Sequence, residues 1–453
     1  MFENIIAQEA AAQIAFDIER REIPPSILFQ GPPLSGKGTA ALEAARVFSC
    51  ATEDAPWGCG CEHCVRHRLL SHPDLLVTGR RPFLPEINAA KEAFFREALP
   101  ATKTLFIRAV KKLLLRFSAV LAEGDTRLSK INGPLENLNG DLEEWAARAL
   151  ETERSEKESE SFLKLTDAVI KNAVKLDAEG ITDTIPVSHI RAASYWLHTA
   201  PSGNKKVFVI ENAERMQDAA RNSLLKTLEE PPADAVIILT SAHPKMLLAT
   251  ILSRVRPYAF VQRSAEREAD ILRRVFREKT VAESEGDPRG SPLSGYFERC
   301  SGVSQKSLEA SAALWVASVA AVAVLKQTNG VSRRTPPPEL VALGKYAAPI
   351  AENAGYGRPN TNLKALMEII MEKTAKFAER ETFSRFLEET LSVIRMRDAL
   401  FSQEITPLAI HYTETARAHI RTAQTAVETY NQGKTLALER LFISLSDSFS
   451  LTG

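Results

Sequence analysis

The segment GPPLSGKGTA, which begins at Gly31, carries most of a phosphate-binding loop. Gly31, Gly36 and Lys37 satisfy the pattern G-x-x-x-x-G-K-[ST], so backbone N–H groups and an ammonium would face phosphate oxygens. Gly38 stands where a hydroxyl normally binds Mg²⁺, and Thr39 lies one position further round the helix. The loop predicts a site for ATP or ADP with Mg²⁺. The alternative is a glycine turn between a strand and a helix.

A second apolar strand supplies the acidic residue that such a site requires. The segment KVFVIENAERM places Glu211 at the end of this strand, and Asn212 follows where an ATPase has the acid that activates water. An amide can orient a water molecule but cannot accept its proton. Together with Gly38, Asn212 indicates weak or absent ATP hydrolysis by this chain itself.

Four of the five cysteines fall within a short segment. In a reducing compartment, such clustering indicates a metal site rather than disulfides. The fifth, Cys300, stands apart and is interpreted as an ordinary thiol. The clustered residues are Cys50, Cys59, Cys61 and Cys64.

Composition places few limits on function. The 453 residues predict two to four domains, and 57 basic against 57 acidic residues give no net charge to attract nucleic acid or a membrane surface. The N-terminus lacks a signal pattern, and no apolar run is expected to reach the length of about 18 residues that spans a bilayer. A cytoplasmic location is expected.

Alternating strand and helix patterns predict a doubly wound α/β core, with ligands bound at the carboxyl ends of parallel strands. Both later strands are continuous apolar runs of the kind that is buried on both faces. The predicted strands are 26–30, 206–212 and 235–241, and the predicted helices are 7–22, 39–48 and 217–230.

Residues from about 80 to 184 change character and read as mostly helical, as does the chain beyond 262. A predicted helix over 103–125 carries an apolar stripe and an opposite basic face. We interpret the basic face as solvated; contact with DNA phosphates is the alternative. The stripe is Phe106, Val110, Leu113, Leu114, Phe117 and Leu121, and the basic face is Arg108, Lys111, Lys112 and Arg116.

Several motifs follow one another in a set order: FENIIAQE, ILFQGPPLSGKGT, the cysteine cluster, SHPDL, KVFVIENAERM, NSLLKTLEEPP and TILSRVRP. In this order they resemble bacterial clamp-loader AAA+ subunits of the DNA polymerase III holoenzyme. The combination of LLKTLEEPP with a downstream Ser-Arg is the most specific part. The resemblance covers residues 1–80 and 185–262 well, and it says nothing of the segment between them.

The resemblance implies a RecA-like AAA+ P-loop domain over 1–262, a helical lid over 263–330 and an all-α collar over 331–453. It also implies partners: gamma/tau and delta subunits in a ring, with the sliding clamp and primed DNA reached through that complex. Arg254 holds the position of an arginine finger that acts on a neighbour's ATP, with Val255 in place of the family's cysteine.

Two further positions and a metal follow from the same resemblance. Ser241 matches the sensor-1 position and Lys306 the sensor-2 position, where arginine is usual. The family's zinc module has two residues between its second and third cysteines, whereas one separates Cys59 from Cys61. Structural zinc is expected on the four clustered cysteines, and His63 or His67 could replace one of them; a lost site or redox-labile thiols are the alternatives.

The motifs also bear on the type of subunit. A motor subunit keeps the hydroxyl after the loop lysine and an Asp-Glu pair on the second strand, and this chain has Gly38, Glu211 and Asn212 instead. A weak site beside a sound Arg254 favours the delta-prime type. The alternatives are an active gamma/tau-type motor that uses Thr39 and Glu211 in modified roles, and a standalone P-loop kinase.

Overall fold

The structure is a computed structural model, which describes residues 1–122, 131–151, 155–182, 184–279, 291–300, 305–329, 335–374, 380–400, 407–428 and 432–451. The chain divides into two compact units, Met1–Cys300 and Ser301–Gly453. This division does not test the domain boundaries given above, which stay predictions.

The first unit combines a five-stranded sheet with many helices. Its strands are β1 Ser26–Gln30, β2 Leu75–Thr78, β3 Lys206–Ile210, β4 Ala235–Ser241 and β5 Arg256–Ala259. Its helices are α1 Glu9–Glu19, α2 Lys37–Phe48, α3 Glu62–Arg68, α4 Leu84–Arg96, α5 Pro100–Leu114, α6 Ala119–Ala122, α7 Asn132–Arg148, α8 Glu156–Lys175, α9 Val187–Leu197, α10 Asp218–Glu229, α11 Ala249–Leu252, α12 Ala265–Val275 and α13 Pro292–Cys300.

The sheet is parallel, with the strand order β2-β3-β4-β1-β5. The α/β prediction is confirmed, and β1, β3 and β4 lie where the apolar runs placed them. The sequence reading missed β2 and β5. The four-residue β2 is shorter than a usual strand signal, and β5 contains both an arginine and a proline.

Alternate residues of the strands are buried on opposite faces of the sheet. On β3, Val207 and Val209 join one apolar core with α1 and α2, whereas Phe208 and Ile210 join a second core with α9 and α10. Burial on both faces explains why these strands read as continuous apolar runs. Because the five strands are parallel, their carboxyl ends all lie at one edge of the sheet, where β1 leads into Gly31.

The segment between β2 and α9 forms helices α4 to α8, of which α4, α5, α7 and α8 share a core of their own. Trp145 is fully buried there, and its ring lies 4.4 Å from that of Phe106 and 4.8 Å from that of Phe94. The Trp145 indole donates a 3.0 Å hydrogen bond to Thr166 Oγ1. The predicted helical character is confirmed for the described residues of this segment, which we call the insertion.

Two details of the insertion were predicted wrongly. The helix expected over 103–125 ends at Leu114 and continues as the 3₁₀ turn Leu115–Phe117, and residues 123–130 lie outside the described residues. The basic face is not solvated, because Lys112 and Arg116 are each only 8% exposed. Both side chains point to carboxylates inside the unit, which compensate the cost of burying a cation.

The elements of the second unit are all helices in the part of the chain that the structure describes. A core around Trp315, Phe386 and Phe442 joins α14 Gln305–Asn329, α15 Pro338–Asn353, α16 Leu363–Lys373, α17 Arg380–Leu400, α18 Pro407–Glu428 and α19 Lys434–Leu451. Contrary to the expectation that no apolar run would be long enough, Lys306–Thr328 has the length and hydropathy of a membrane span. The apolar 18-residue window within that stretch is 72% buried, as is usual for the central helix of a bundle.

Candidate nucleotide site and cysteine cluster

The phosphate loop lies between β1 and α2, at the carboxyl edge of the sheet. Two glycines permit its path, since Gly31 has φ +147° and Gly36 has φ +96°. A Cβ at Gly31 would lie 2.0 Å from the Phe260 carbonyl oxygen. Gly36 is the N-cap of α2, so the first N–H groups of that helix open toward the loop. The predicted strand, loop and helix are thus in place.

Lys37 is turned onto the loop itself. Its Nζ donates hydrogen bonds of 2.6 Å to the carbonyl oxygens of Gly31 and Pro32. Burial lowers the pKa of Lys37 to about 8, although Glu214 and Glu211 favour its charged form. A nucleotide phosphate would have to compete with the loop carbonyls for this ammonium.

Glu211, at the end of β3, is engaged by two arginines. Arg116 of the insertion donates from Nη2 to Glu211 Oε2, and its Nε donates to the Gly79 carbonyl at 2.7 Å. Arg81, just after β2, places Nη1 3.6 Å from Glu211 Oε1. Burial raises the pKa of Glu211, but Arg116, Arg81 and then Lys112 outweigh burial and hold it below its usual value. The carboxylate is therefore ionised and paired.

The two arginines are fixed in turn. Burial lowers the pKa of Arg116 to about 10 against the influence of Glu211, so the guanidinium stays protonated at neutral pH. Glu86 of α4 accepts from both Arg81 and Lys112. Each guanidinium also lies over the ring of Phe83, at 5.1 Å for Arg116 and 5.6 Å for Arg81.

The same geometry explains the glycine that follows the loop lysine. A Cβ at position 38 would lie 2.7 Å from Glu211 Oε1 and 3.3 Å from Arg81 Nη1. Gly38 is therefore the residue that fits while Glu211 keeps this position. Thr39, in the first turn of α2, is half-buried.

Asn212 stabilises the backbone at the end of β3. Its backbone is left-handed, with φ 53°, a conformation that asparagine tolerates better than most residues. Its Nδ2 donates a 2.7 Å hydrogen bond to the Arg80 carbonyl, which an aspartate could not do. The amide therefore ties the end of β3 to the end of β2.

Two predicted sensor residues have different surroundings. Ser241 ends β4 and is fully buried, and its carbonyl accepts a 3.1 Å hydrogen bond from Gly31 N, which joins it to the phosphate loop. Lys306 is exposed near the start of α14 in the second unit. The loop residues, Glu211 and Ser241 are thus brought together, and Lys306 belongs to the other unit.

Arg254 follows α11 and is paired with an acid of the LEEPP motif. Its Nη2 lies 2.7 Å from Glu229 Oε1, and its Nη1 donates to the Thr250 carbonyl at 2.8 Å. The side chains of Arg254 and Glu229 are 34% and 48% exposed. The pair is therefore of the solvent-accessible kind that costs little to break.

The sequence reading missed Arg81 and Arg116 as part of this site. A signal for Arg81 was present, because it follows β2 and the ends of parallel strands share one edge. In the sheet, Thr78 of β2 pairs with Ile210 of β3, so the residues after each strand become neighbours. Nothing local marks Arg116, which lies on a helical segment 95 residues away from Glu211.

The four clustered cysteines converge. Their Sγ atoms all lie within 4.8 Å of one another, and Cys50 Sγ is 3.7 Å from Cys59 Sγ. Four sulfurs about 2.3 Å from a tetrahedral zinc would be separated by similar distances. The donor set therefore fits zinc, and the single-residue gap between Cys59 and Cys61 does not prevent the thiols from meeting.

The histidines proposed as substitutes are engaged elsewhere. His63 Nδ1 lies 2.9 Å from His72 Nε2, and His67 Nε2 lies 2.9 Å from Ser49 Oγ. Burial raises the pKa of Cys61, but hydrogen bonds from the backbones of Ala51 and Cys64 lower it overall to about 6. These contacts favour the thiol set over a mixed set.

We expect the protein purified with zinc to carry about one zinc per chain, held by four thiolates. Cys61→Ser should lose that zinc, and Cys300→Ser, which changes a buried thiol outside the cluster, should retain it. Metal analysis of both variants after gel filtration measures this. Equal zinc contents in the two variants would contradict the assignment.

The chain is similar in sequence to known proteins. A family model described as "DNA polymerase III, delta subunit" matches residues 6–264. DNA polymerase III subunit delta' of Pseudomonas aeruginosa is 42% identical over 80 residues, which are 17% of this chain and 24% of that protein. The tau subunit of Bacillus subtilis is 32% identical over 97 residues, which are 21% of this chain and 17% of that protein. These matched segments span a quarter or less of each relative.

A solved structure is also similar to the chain. The DNA polymerase III gamma subunit-related protein of Thermotoga maritima aligns with a TM-score of 0.30 at 17% identity, covering 63% of this chain and 90% of that one. The resemblance to clamp-loader subunits drawn from the sequence motifs is confirmed by the family match and by the delta' and tau relatives. These matches do not separate the delta-prime type from the gamma/tau type.

Proposed function

Because this chain belongs to the family described as DNA polymerase III, delta subunit, we propose that it is a delta-prime-like, non-motor subunit of the clamp loader. In this role it helps to load the sliding clamp onto primed DNA in the cytoplasm. Its partners are gamma/tau and delta subunits in a ring. Its own ATP hydrolysis is weak or absent, and its chemical contribution is made at a neighbouring ATP site.

The observation that carries this proposal is the pairing of Glu211. In a P-loop ATPase, this carboxylate and a hydroxyl after the loop lysine hold the metal that neutralises the phosphates. Here the carboxylate is paired with Arg81 and Arg116, and Gly38 brings no hydroxyl. In addition, Asn212 carries an amide, which cannot take a proton from water, and the amide nitrogen is bonded to the Arg80 carbonyl.

Arg254 is the residue that we propose acts on a neighbour. A guanidinium directed at a γ-phosphate stabilises the charge that develops during phosphoryl transfer. Arg254 is partly exposed, and its bond to Glu229 is accessible to solvent, so it can exchange this partner for a phosphate. Ser241 is proposed as the sensor-1 residue of the chain's own degenerate site, and Lys306, in the second unit, stays a prediction for the sensor-2 position.

The remaining parts have proposed roles in assembly. The predicted lid, 263–330, and the predicted collar, 331–453, are proposed to serve association of the subunits in the ring; the division of the chain after Cys300 falls inside the predicted lid. The zinc held by Cys50, Cys59, Cys61 and Cys64 is structural, because four thiolates complete its coordination and leave no position for a substrate. The insertion holds the degenerate site in its paired state.

Lys37→Ala tests whether this subunit itself contributes to ATP hydrolysis by the assembly. We expect the ATPase rate of an assembly reconstituted with this variant to stay within about twofold of the unaltered assembly, since Lys37 serves no turnover in this subunit. The purified chain should likewise show no turnover above background. Steady-state phosphate release measures both rates, with Lys205→Ala, a half-buried lysine just before β3 and outside the phosphate loop, as the control.

A loss of turnover of about tenfold or more in the Lys37 variant would favour the second candidate, an active gamma/tau-type motor that uses Thr39 and Glu211. The observation in favour of that candidate is the similarity to tau subunits. A standalone P-loop kinase would instead transfer phosphate to an acceptor as an isolated chain, which the same preparation tests directly.

A further inference from the structure

The surroundings of Glu211 do not fit a divalent metal. Magnesium needs oxygen ligands about 2.0–2.1 Å away in octahedral geometry, usually carboxylates, hydroxyls and water. The hydroxyl is absent, and the volume that a side chain at position 38 would occupy contains Glu211 Oε1. Both carboxylate oxygens face guanidinium groups, Arg116 on Oε2 and Arg81 on Oε1.

The cations are held in place independently of any nucleotide. Arg116 is bonded to the Gly79 carbonyl, and both arginines lie over Phe83. Glu86 binds Arg81 from its other side and also binds Lys112. These contacts link the end of β2, the turn after α5 and α4, and they fix two positive charges where the metal would have to approach.

We propose that Arg81 and Arg116 form an internal counter-ion that takes the place of the divalent metal at Glu211, so that this site does not take up Mg²⁺. The inference deepens the proposed function and rests on its assignment of the loop and Glu211 to a nucleotide site. It also gives the insertion a role, since the insertion supplies Arg116, Lys112 and Glu86. Any nucleotide that this subunit binds is bound without metal at Glu211.

Binding of Mn²⁺, a spectroscopic substitute for Mg²⁺, tests the proposal without nucleotide and without the assembly. Free Mn²⁺ is measured by electron paramagnetic resonance during titration of the zinc-loaded full chain. We expect the unaltered chain and Glu211→Gln to bind the same amount of Mn²⁺. The Arg81→Met/Arg116→Met variant should gain one further site, at least tenfold tighter than any in the unaltered chain, and adding Glu211→Gln to it should abolish that site.

Arg148→Met is the matched control. It removes an arginine from the same insertion and from an ion pair with a glutamate, Glu144, whose side chain is 58% exposed. It should gain no Mn²⁺ site, because a solvated lone carboxylate holds the ion weakly.

Two results would overturn the proposal. One is a Mn²⁺ site in the unaltered chain that Glu211→Gln removes. The other is a folded double-methionine variant, with unchanged circular dichroism, that gains no site dependent on Glu211. The comparison of the unaltered chain with Glu211→Gln needs no arginine variant, so it decides even where the double variant fails to fold. Failure of the clamp-loader assignment would appear in the ATPase assays and leave these titrations unaffected.

Discussion

Replacing Arg254 with alanine is expected to lower turnover at the ATP site of the neighbouring subunit by about 10³-fold, the size of effect that an arginine finger has on phosphoryl transfer. The reason is electrostatic, because a guanidinium at the γ-phosphate opposes charge that grows in the transition state. Phosphate release is measured in an assembly whose other ATP sites carry loop-lysine-to-alanine changes. The measured turnover then comes only from the ATP site on which Arg254 is proposed to act. Nucleotide binding by this subunit itself should not change.

Glu229→Gln distinguishes a finger from a structural arginine. Glu229 is the acid on which Arg254 rests, at 2.7 Å. If the only role of Arg254 were that ion pair, Arg254→Ala and Glu229→Gln would lose the same contact and change turnover by the same amount. We expect Glu229→Gln to keep turnover within about twofold, since it frees the guanidinium without removing it. Equal losses in the two variants, or no loss in Arg254→Ala, would refute the assignment.

Arg46→Ala is expected to cost the first unit about 3–5 kcal/mol in free energy of unfolding, because it leaves the Glu43 carboxylate buried without its partner. The Arg46 and Glu43 side chains are 1% and 0% exposed and are joined by hydrogen bonds of 2.6 and 3.0 Å. Arg46 also donates to the Ala55 carbonyl at 2.7 Å and to Cys64 Sγ at 3.0 Å, which ties α2 to the cysteine cluster.

Denaturant unfolding at a constant zinc concentration measures this cost. Arg20→Ala, which breaks an exposed pair with Glu22, is the control and should cost less than about 1 kcal/mol. Glu43→Leu/Arg46→Met should recover much of the loss, because apolar side chains replace the pair and leave no unpaired charge. A double variant as unstable as Arg46→Ala would show that packing, rather than the orphaned charge, dominates.

The alternation of strands and helices could be predicted from the sequence because the interactions that determine it act between residues close together in the chain. Continuous apolar runs marked β1, β3 and β4, since a strand buried on both faces excludes polar residues. Pro231 ends the periodic pattern of α10, because proline cannot continue a helix. The edge strand β5 was missed, since an edge tolerates arginine and proline and so lacks that apolar signature.

The basic face of the insertion shows where such reading fails. Helical periodicity places Lys112 and Arg116 opposite an apolar stripe, and a polar face is usually solvated. Periodicity reports which residues share a face but not what covers that face. Here Glu86 and Glu211 cover it, and ion pairing makes burial of the charges tolerable.

The sequence by itself determined the strand, glycine loop and helix, the set of four neighbouring cysteines, and the missing hydroxyl at Gly38. Each of these depends on residues close together in the chain, where spacing alone sets the geometry. Only the tertiary structure decided that Glu211 is paired with Arg81 and Arg116. That pairing requires β2 beside β3 and the insertion packed over their ends, and contacts between residues 95 positions apart are set by packing that no local pattern encodes.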